Sequence, residues 1–150
     1  MLKDYLNQVS TLYKQQMSIE KYLIEQGTEC KITLIKDLPK DIRKEITEAI
    51  KAVNPKIKEC YKNAFMLSMV LPEAEYWEGF SESIIPVSHA WNSYKGYYID
   101  ITWELLKQGV GKEYMGIKIP KAQATKFMTN KIAFMMSPLY QKINKEFHRK

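Results

Sequence analysis

Histidine and cysteine are scarce in this 150-residue chain, with two of each. In a reducing compartment two thiols are more often free than bridged, and two cannot assemble a four-ligand structural zinc site alone. Neither a metal nor another cofactor is therefore expected. The chain also lacks a long apolar run: the longest, Ala64 to Leu71, has the length of a buried core segment and not of a membrane span. The opening MLKDYLNQVS places a polar residue at almost every second position, unlike a signal peptide. The expected location is cytoplasmic, and no membrane partner is anticipated. A cluster of basic residues is missing too. The formal charge is +6 and the pI about 9.1, yet the lysines are spread along the whole chain with no basic-aromatic motif. That distribution describes a solvated surface, and nucleic acid is the minority expectation for a partner. No repeat, low-complexity tract or linker divides the chain, so a single domain over 1–150 is expected.

What is present is globular: 45% hydrophobic and 27% charged residues, enough to bury a core. The abundance of Lys, Ile, Tyr and Met fits an A+T-rich bacterial or phage genome, the host cytoplasm being the location in the phage case. Leu2, Leu6, Val9, Tyr13, Ile19 and Leu23 recur at nearly helical spacing up to Gly27, a natural stop. Lys31 to Ile35 is short and β-branched and reads as a strand. Lys40 to Val53 reads as an amphipathic helix closed by Asn54-Pro55. A second helix begins between Pro55 and Cys60 and ends at Pro72; it is apolar nearly all round, as a central helix should be. Strands are expected at Glu75–Ser81, Pro86–Ser93 and Tyr97–Thr102, with one more between Gly109 and Ile119. After Pro120 come two helical pieces broken at Pro138, the last presenting Leu139, Ile143 and Phe147. The fold class expected is α+β.

His148 lies in the terminal EFHRK, so imidazole chemistry must fall to His89. If the chain turns at Lys95-Gly96, position i faces 191 minus i, and strand alternation puts His89, Trp91, Asp100 and Thr102 on one face. His89 and Asp100 are then diagonal neighbours, roughly 7–8 Å apart at the backbone and within reach of a His–carboxylate bond. A carboxylate on one ring nitrogen fixes the tautomer and leaves the other for a nucleophile. Cys60, opening the apolar helix, is the candidate, because helix amides and an imidazolium both favour a thiolate. Were Asn54 to cap that helix with Pro55 at its first position, Cys60 would sit in the second turn and lose part of this help. Taken singly, each residue has an ordinary structural reading: a core cysteine, a satisfied strand histidine, a turn carboxylate. Their conjunction carries the functional one. Cys30, with no histidine or acid pattern around it, reads as structural.

The segments Cys60-Tyr61-Lys62-Asn63-Ala64, Tyr76-Trp77-Glu78-Gly79-Phe80, His89-Ala90-Trp91-Asn92 and Gly96 to Thr102 occur in that order over Asn54 to Thr102. This order resembles the papain-like and transglutaminase-like cysteine enzyme superfamily: nucleophile helix, aromatic-x-Gly strand, His-x-Trp strand, Asp-x-Thr strand. The resemblance implies a core in which a central nucleophile helix packs on an antiparallel sheet, with extra N- and C-terminal helices. It implies that Cys60 is the nucleophile, His89 the base and later acid, and Asp100 the orienting group. Asn54 stands where the papain branch often carries an oxyanion-donating Gln, and Lys58-Glu59 where a Gly often precedes the nucleophile. Trp91 would pack beside the histidine, and Glu78 has no assigned role. The implied activity is acyl chemistry through a thioester on a peptide, protein or small amide. Two alternatives from other classes stand beside it: a non-catalytic binding or regulatory protein that keeps this fold, and a basic nucleic-acid-binding module.

Overall fold

Where apolar residues recur at helical spacing the chain is helical, and most of the alternating stretches are extended. The computed structural model describes residues 2–12, 19–107 and 109–129. Among them the N-terminal periodicity forms two helices, α1 (Leu2–Leu12) and α2 (Ile19–Gln26), the latter closed by the Gly27 N–H on Leu23 O at 2.8 Å. Helix α3 runs Lys40–Val53, as its amphipathic spacing requires, and buries Ile46 and Ala49. Asn54 ends it in the left-handed region, φ 51°, donating to Ile50 O. Helix α4 is Cys60–Val70, a short helix α5 is Ile101–Leu106, and α6 is Lys121–Thr129. The second C-terminal piece, with Leu139, Ile143 and Phe147, lies outside the described residues.

Five strands, β1 (Thr28–Glu29), β2 (Glu75–Glu82), β3 (Pro86–Tyr94), β4 (Tyr97–Ile99) and β5 (Glu113–Ile119), form one antiparallel sheet in the order β1-β5-β2-β3-β4. The β3–β4 hairpin turns on Lys95 and Gly96, whose φ of 48° and 87° are those of a two-residue primed turn. Its pairs are Asn92↔Ile99, Ser93↔Tyr98 and Tyr94↔Tyr97, the register set by a turn at that dipeptide. One sheet face packs on α4, α1, α2 and α6 through Ala64, Phe65, Tyr76, Phe80, Ala90 and Ala124. The opposite face holds a separate cluster of Trp77, Trp91, Tyr114 and Cys30.

Two strand assignments need correcting. Lys31–Ile35 forms no strand: a 3-10 turn occupies Ile35–Asp37, and Ile32 makes only an isolated bridge to Tyr98. The reason is its path. Thr28 and Glu29 pair with β5, Cys30 N–H bonds Tyr114 O, and Thr33 N–H bonds Tyr98 O on β4. The segment therefore crosses the aromatic face from one side of the sheet to the other, and cannot run along any single strand. The strand expected over Tyr97–Thr102 stops at Ile99, because Asp100 becomes the N-cap of α5, its Oδ1 accepting the Trp103 N–H at 3.1 Å. Thr102 is thus helical and not on the sheet face with His89. Among the described residues no helix is long and apolar enough to cross a membrane.

Candidate active site

Position 89 is the fourth residue of β3, on the same face as Trp91, and the side chain there is almost entirely buried, 1% exposed. Its partner arrives from the next element. The cap geometry that ends β4 turns the Asp100 carboxylate back over β3, and Asp100 Oδ2 lies 2.8 Å from His89 Nε2. Burial alone would strip the ring of its proton. The Asp100 hydrogen bond, then the Cys60 hydrogen bond and the charges of both groups, outweigh that and hold its pKa up at about 9.

Cys60 reaches the ring from the other element layer. Just before it the chain makes a turn closed by Glu59 N–H on Lys56 O at 3.2 Å, with Lys58 at φ 65°. A glycine would adopt that left-handed conformation without cost; here a lysine is held in it. The grip comes from Asn63, whose amide accepts the Lys56 N–H at 3.0 Å and donates to Lys56 O at 2.8 Å and to Thr102 Oγ1 at 3.0 Å. This ties the approach to α4 onto α5, the helix that Asp100 caps. Cys60 is consequently the first residue of α4, with Glu59 at the cap, and not a second-turn residue behind an Asn54 cap. Its side chain is partly exposed while the ring behind it is buried. With Nε2 taken by Asp100, Nδ1 is the ring nitrogen left for the sulfur. First-turn N–H groups of α4 have no acceptor within the helix.

The carboxylate accepts more than the imidazole. The Tyr114 hydroxyl donates to the same Oδ2, and receives the Gly111 N–H at 2.9 Å. Burial first, then the Asp100 charge, push the Tyr114 pKa far above that of a free phenol, which keeps it a proton donor. Trp103 stacks on the imidazole with centroids 3.9 Å apart and planes at 25°, and Lys107 Nζ lies 4.2 Å from the Trp103 ring. Trp91 is next to the histidine as well, 6.3 Å away at 25°. The sequence by itself singles out neither Tyr114 nor Trp103. The Asp100-Ile101-Thr102-Trp103 spacing of a capped helix could have signalled Trp103; nothing local marks Tyr114.

Of the remaining candidates, Asn54 closes α3 on the surface, and Asn63 is the asparagine that grips the approach to Cys60. Glu78 is fully buried on the α4 side of the sheet, accepting the Tyr76 hydroxyl at 2.5 Å. Cys30 is buried in the aromatic cluster, its thiol pushed up to about 12 by desolvation against weaker opposing contacts from Trp91 and Tyr98. His148 lies outside the described residues. Among the described residues no group of three or more His, Cys, Asp or Glu is placed to hold a metal. The arrangement can pass a proton between a thiol and an imidazole whose far nitrogen is anchored on a carboxylate. In comparisons with known proteins, no family model, no curated protein and no solved structure matches the chain.

Proposed function

We propose that the protein is a cysteine-nucleophile enzyme of the papain-like or transglutaminase-like kind, acting at an amide or related acyl carbon. One observation carries the reading: a single buried ring has Asp100 on Nε2 at 2.8 Å and lies close enough to Cys60 for that group to help hold its pKa up. Beside the protonated ring Cys60 reacts as its thiolate, which attacks the carbonyl carbon and forms the C–S bond. The oxyanion that develops meets the free N–H groups of the first turn of α4. His89 then gives its proton to the leaving nitrogen, the C–N bond breaks, and a thioester remains on Cys60. Water or an amine attacks the thioester with the now neutral His89 as base, which releases the acid or the new amide and restores the thiolate beside the imidazolium. Peptides, protein side-chain amides and small amides all fit this chemistry.

The test is the alkylation rate of Cys60 by iodoacetamide near neutral pH. His89→Ala is expected to slow it roughly 10-fold, since no charged ring is then left beside the sulfur. A rate indifferent to His89 sinks the reading and leaves a non-catalytic protein of this fold. Binding to a polyanion that survives Cys60→Ser and falls steeply with salt would favour the nucleic-acid reading instead.

A further inference from the structure

We propose that Tyr114 is a positioning residue of this site: by sharing the Asp100 oxygen that binds His89, its hydroxyl takes up part of that oxygen's charge and so sets how firmly the imidazole holds its proton. The proposal rests on the reading of His89 as the acid–base partner of Cys60.

Proton bookkeeping fixes the direction of the bond. The phenol has a single proton, and the acceptor side of its oxygen is filled by the Gly111 N–H at 2.9 Å, so the O–H is left to point at Asp100 Oδ2. That oxygen also serves His89 Nε2, while Oδ1 is committed to the α5 cap through Trp103 N–H. Asp100 is wholly buried, so water does not substitute for any of the three donors. The phenol ring is held in turn, at a steep angle to Trp91 with centroids 5.1 Å apart and with Ser81 as its partner on β2. Packing alone would be met equally well by phenylalanine; the hydroxyl is what the carboxylate uses.

The charged and titratable groups around the ring and its carboxylate come from three elements. They are Cys60 on α4, Asp100 and Glu104 at α5, and Tyr114 on β5, with the Lys107 ammonium beyond Trp103. Of these, Tyr114 is the one that donates to the carboxylate from outside the Cys60–His89–Asp100 chain. Two donors pulling on one oxygen weaken each other, so removing the phenol proton donor strengthens the hold of Asp100 on the imidazolium.

The experiment follows the His89 ring by NMR in the full chain carrying His148→Gln, which leaves one imidazole to titrate. Tyr114→Phe is expected to raise the ring's titration midpoint by about one pH unit. Replacing Tyr114 by 3,5-difluorotyrosine, a stronger donor of the same shape, is expected to lower it. Opposite shifts are not what a general loosening of the fold produces. A midpoint that stays put in both, or moves the same way in both, overturns the proposal, and the fluorinated protein keeps the test open should the Phe variant fail to fold. Cys60 alkylation in the same samples separates the two claims. A rate indifferent to His89→Ala overturns the acyl-enzyme reading and with it the site Tyr114 serves; an intact His89 dependence with unmoved titration overturns the Tyr114 proposal alone.

Discussion

With its ring buried against Trp103 and bonded to Asp100, His89 keeps its proton up to about pH 9, whereas the unfolded chain would release it near 6.5. Folding therefore takes up a proton between these values. The sign follows: the stabilisation is fully present below about pH 6.5 and is lost as pH rises through about 9, on the order of 3 kcal/mol in all. Urea unfolding at about pH 6 and about pH 10 should show the native protein losing stability relative to His89→Gln by that amount. Parallel losses in both would mean the native ring is neutral. At this scale scarcity decided what could be read in advance. With two histidines in the chain, one of them terminal, His89 stood out; Tyr114 is one of ten tyrosines and meets Asp100 from fourteen positions away. No local spacing encodes that contact, because β5 is brought beside it only when the sheet closes.

The hairpin was legible because Lys95-Gly96 fixes its register through backbone geometry alone, and the register put His89 and Asp100 on one side. The end of β4 was not. Ile99-Asp100-Ile101-Thr102 alternates like a strand, but the Asp100 cap on Trp103 and the Asn63 bond to Thr102 favour a helix that no alternation pattern announces. Asp100 meets the imidazole either way, since a residue just past the strand end still overhangs β3. The floor beneath the ring is a second element-scale device. Gly79 pairs with His89 on one side and Gly116 on the other, and a Cβ at Gly116 would stand 2.6 Å from the Trp91 ring and 2.5 Å from Glu78 O. Bare backbone is what lets the Trp91 ring approach β5 this closely. Gly116→Ala should therefore cost about 1–3 kcal/mol and abolish the His89 dependence of Cys60 alkylation, as Trp91 is driven towards the imidazole. Gly96→Ala is the control. Its Cβ meets open space, but its φ of 87° is strained for alanine, so it should lower the melting temperature and leave the alkylation profile alone. Equal loss of reactivity in the two variants would mean the glycine floor has no special bearing on the site.

Across the whole molecule the two sheet faces differ in how they are closed. Helices α1, α2, α4 and α6 cover one, while the other, which carries the histidine, is closed by α5 through Trp103 and by the crossing segment from Thr28 to Thr33. Four residues carry that segment from the Cys30 bond on β5 to the Thr33 bond on β4, a reach of roughly 10–13 Å. Flat strands would separate β5 and β4 by three spacings, roughly 14 Å, so the sheet must curl to let the segment tie both sides together. Sequence periodicity could not show this, because the β-branched run from Lys31 to Ile35 looks the same whether it runs along a strand or across several. The tie turns the Cys30 side chain of the segment inward against Trp77 and Trp91, so its thiol should be reachable only when both sides of the sheet let go together. In Cys60→Ser, where Cys30 is the one thiol left, modification by a disulfide reagent should be slow and should accelerate with urea. The opening free energy and urea slope it reports should equal those of global unfolding, as for a core amide in hydrogen exchange. A rate that ignores urea would mean the segment lifts by itself. The aromatic face, and with it the setting of His89, would then be maintained by the hairpin and α5 without the tie.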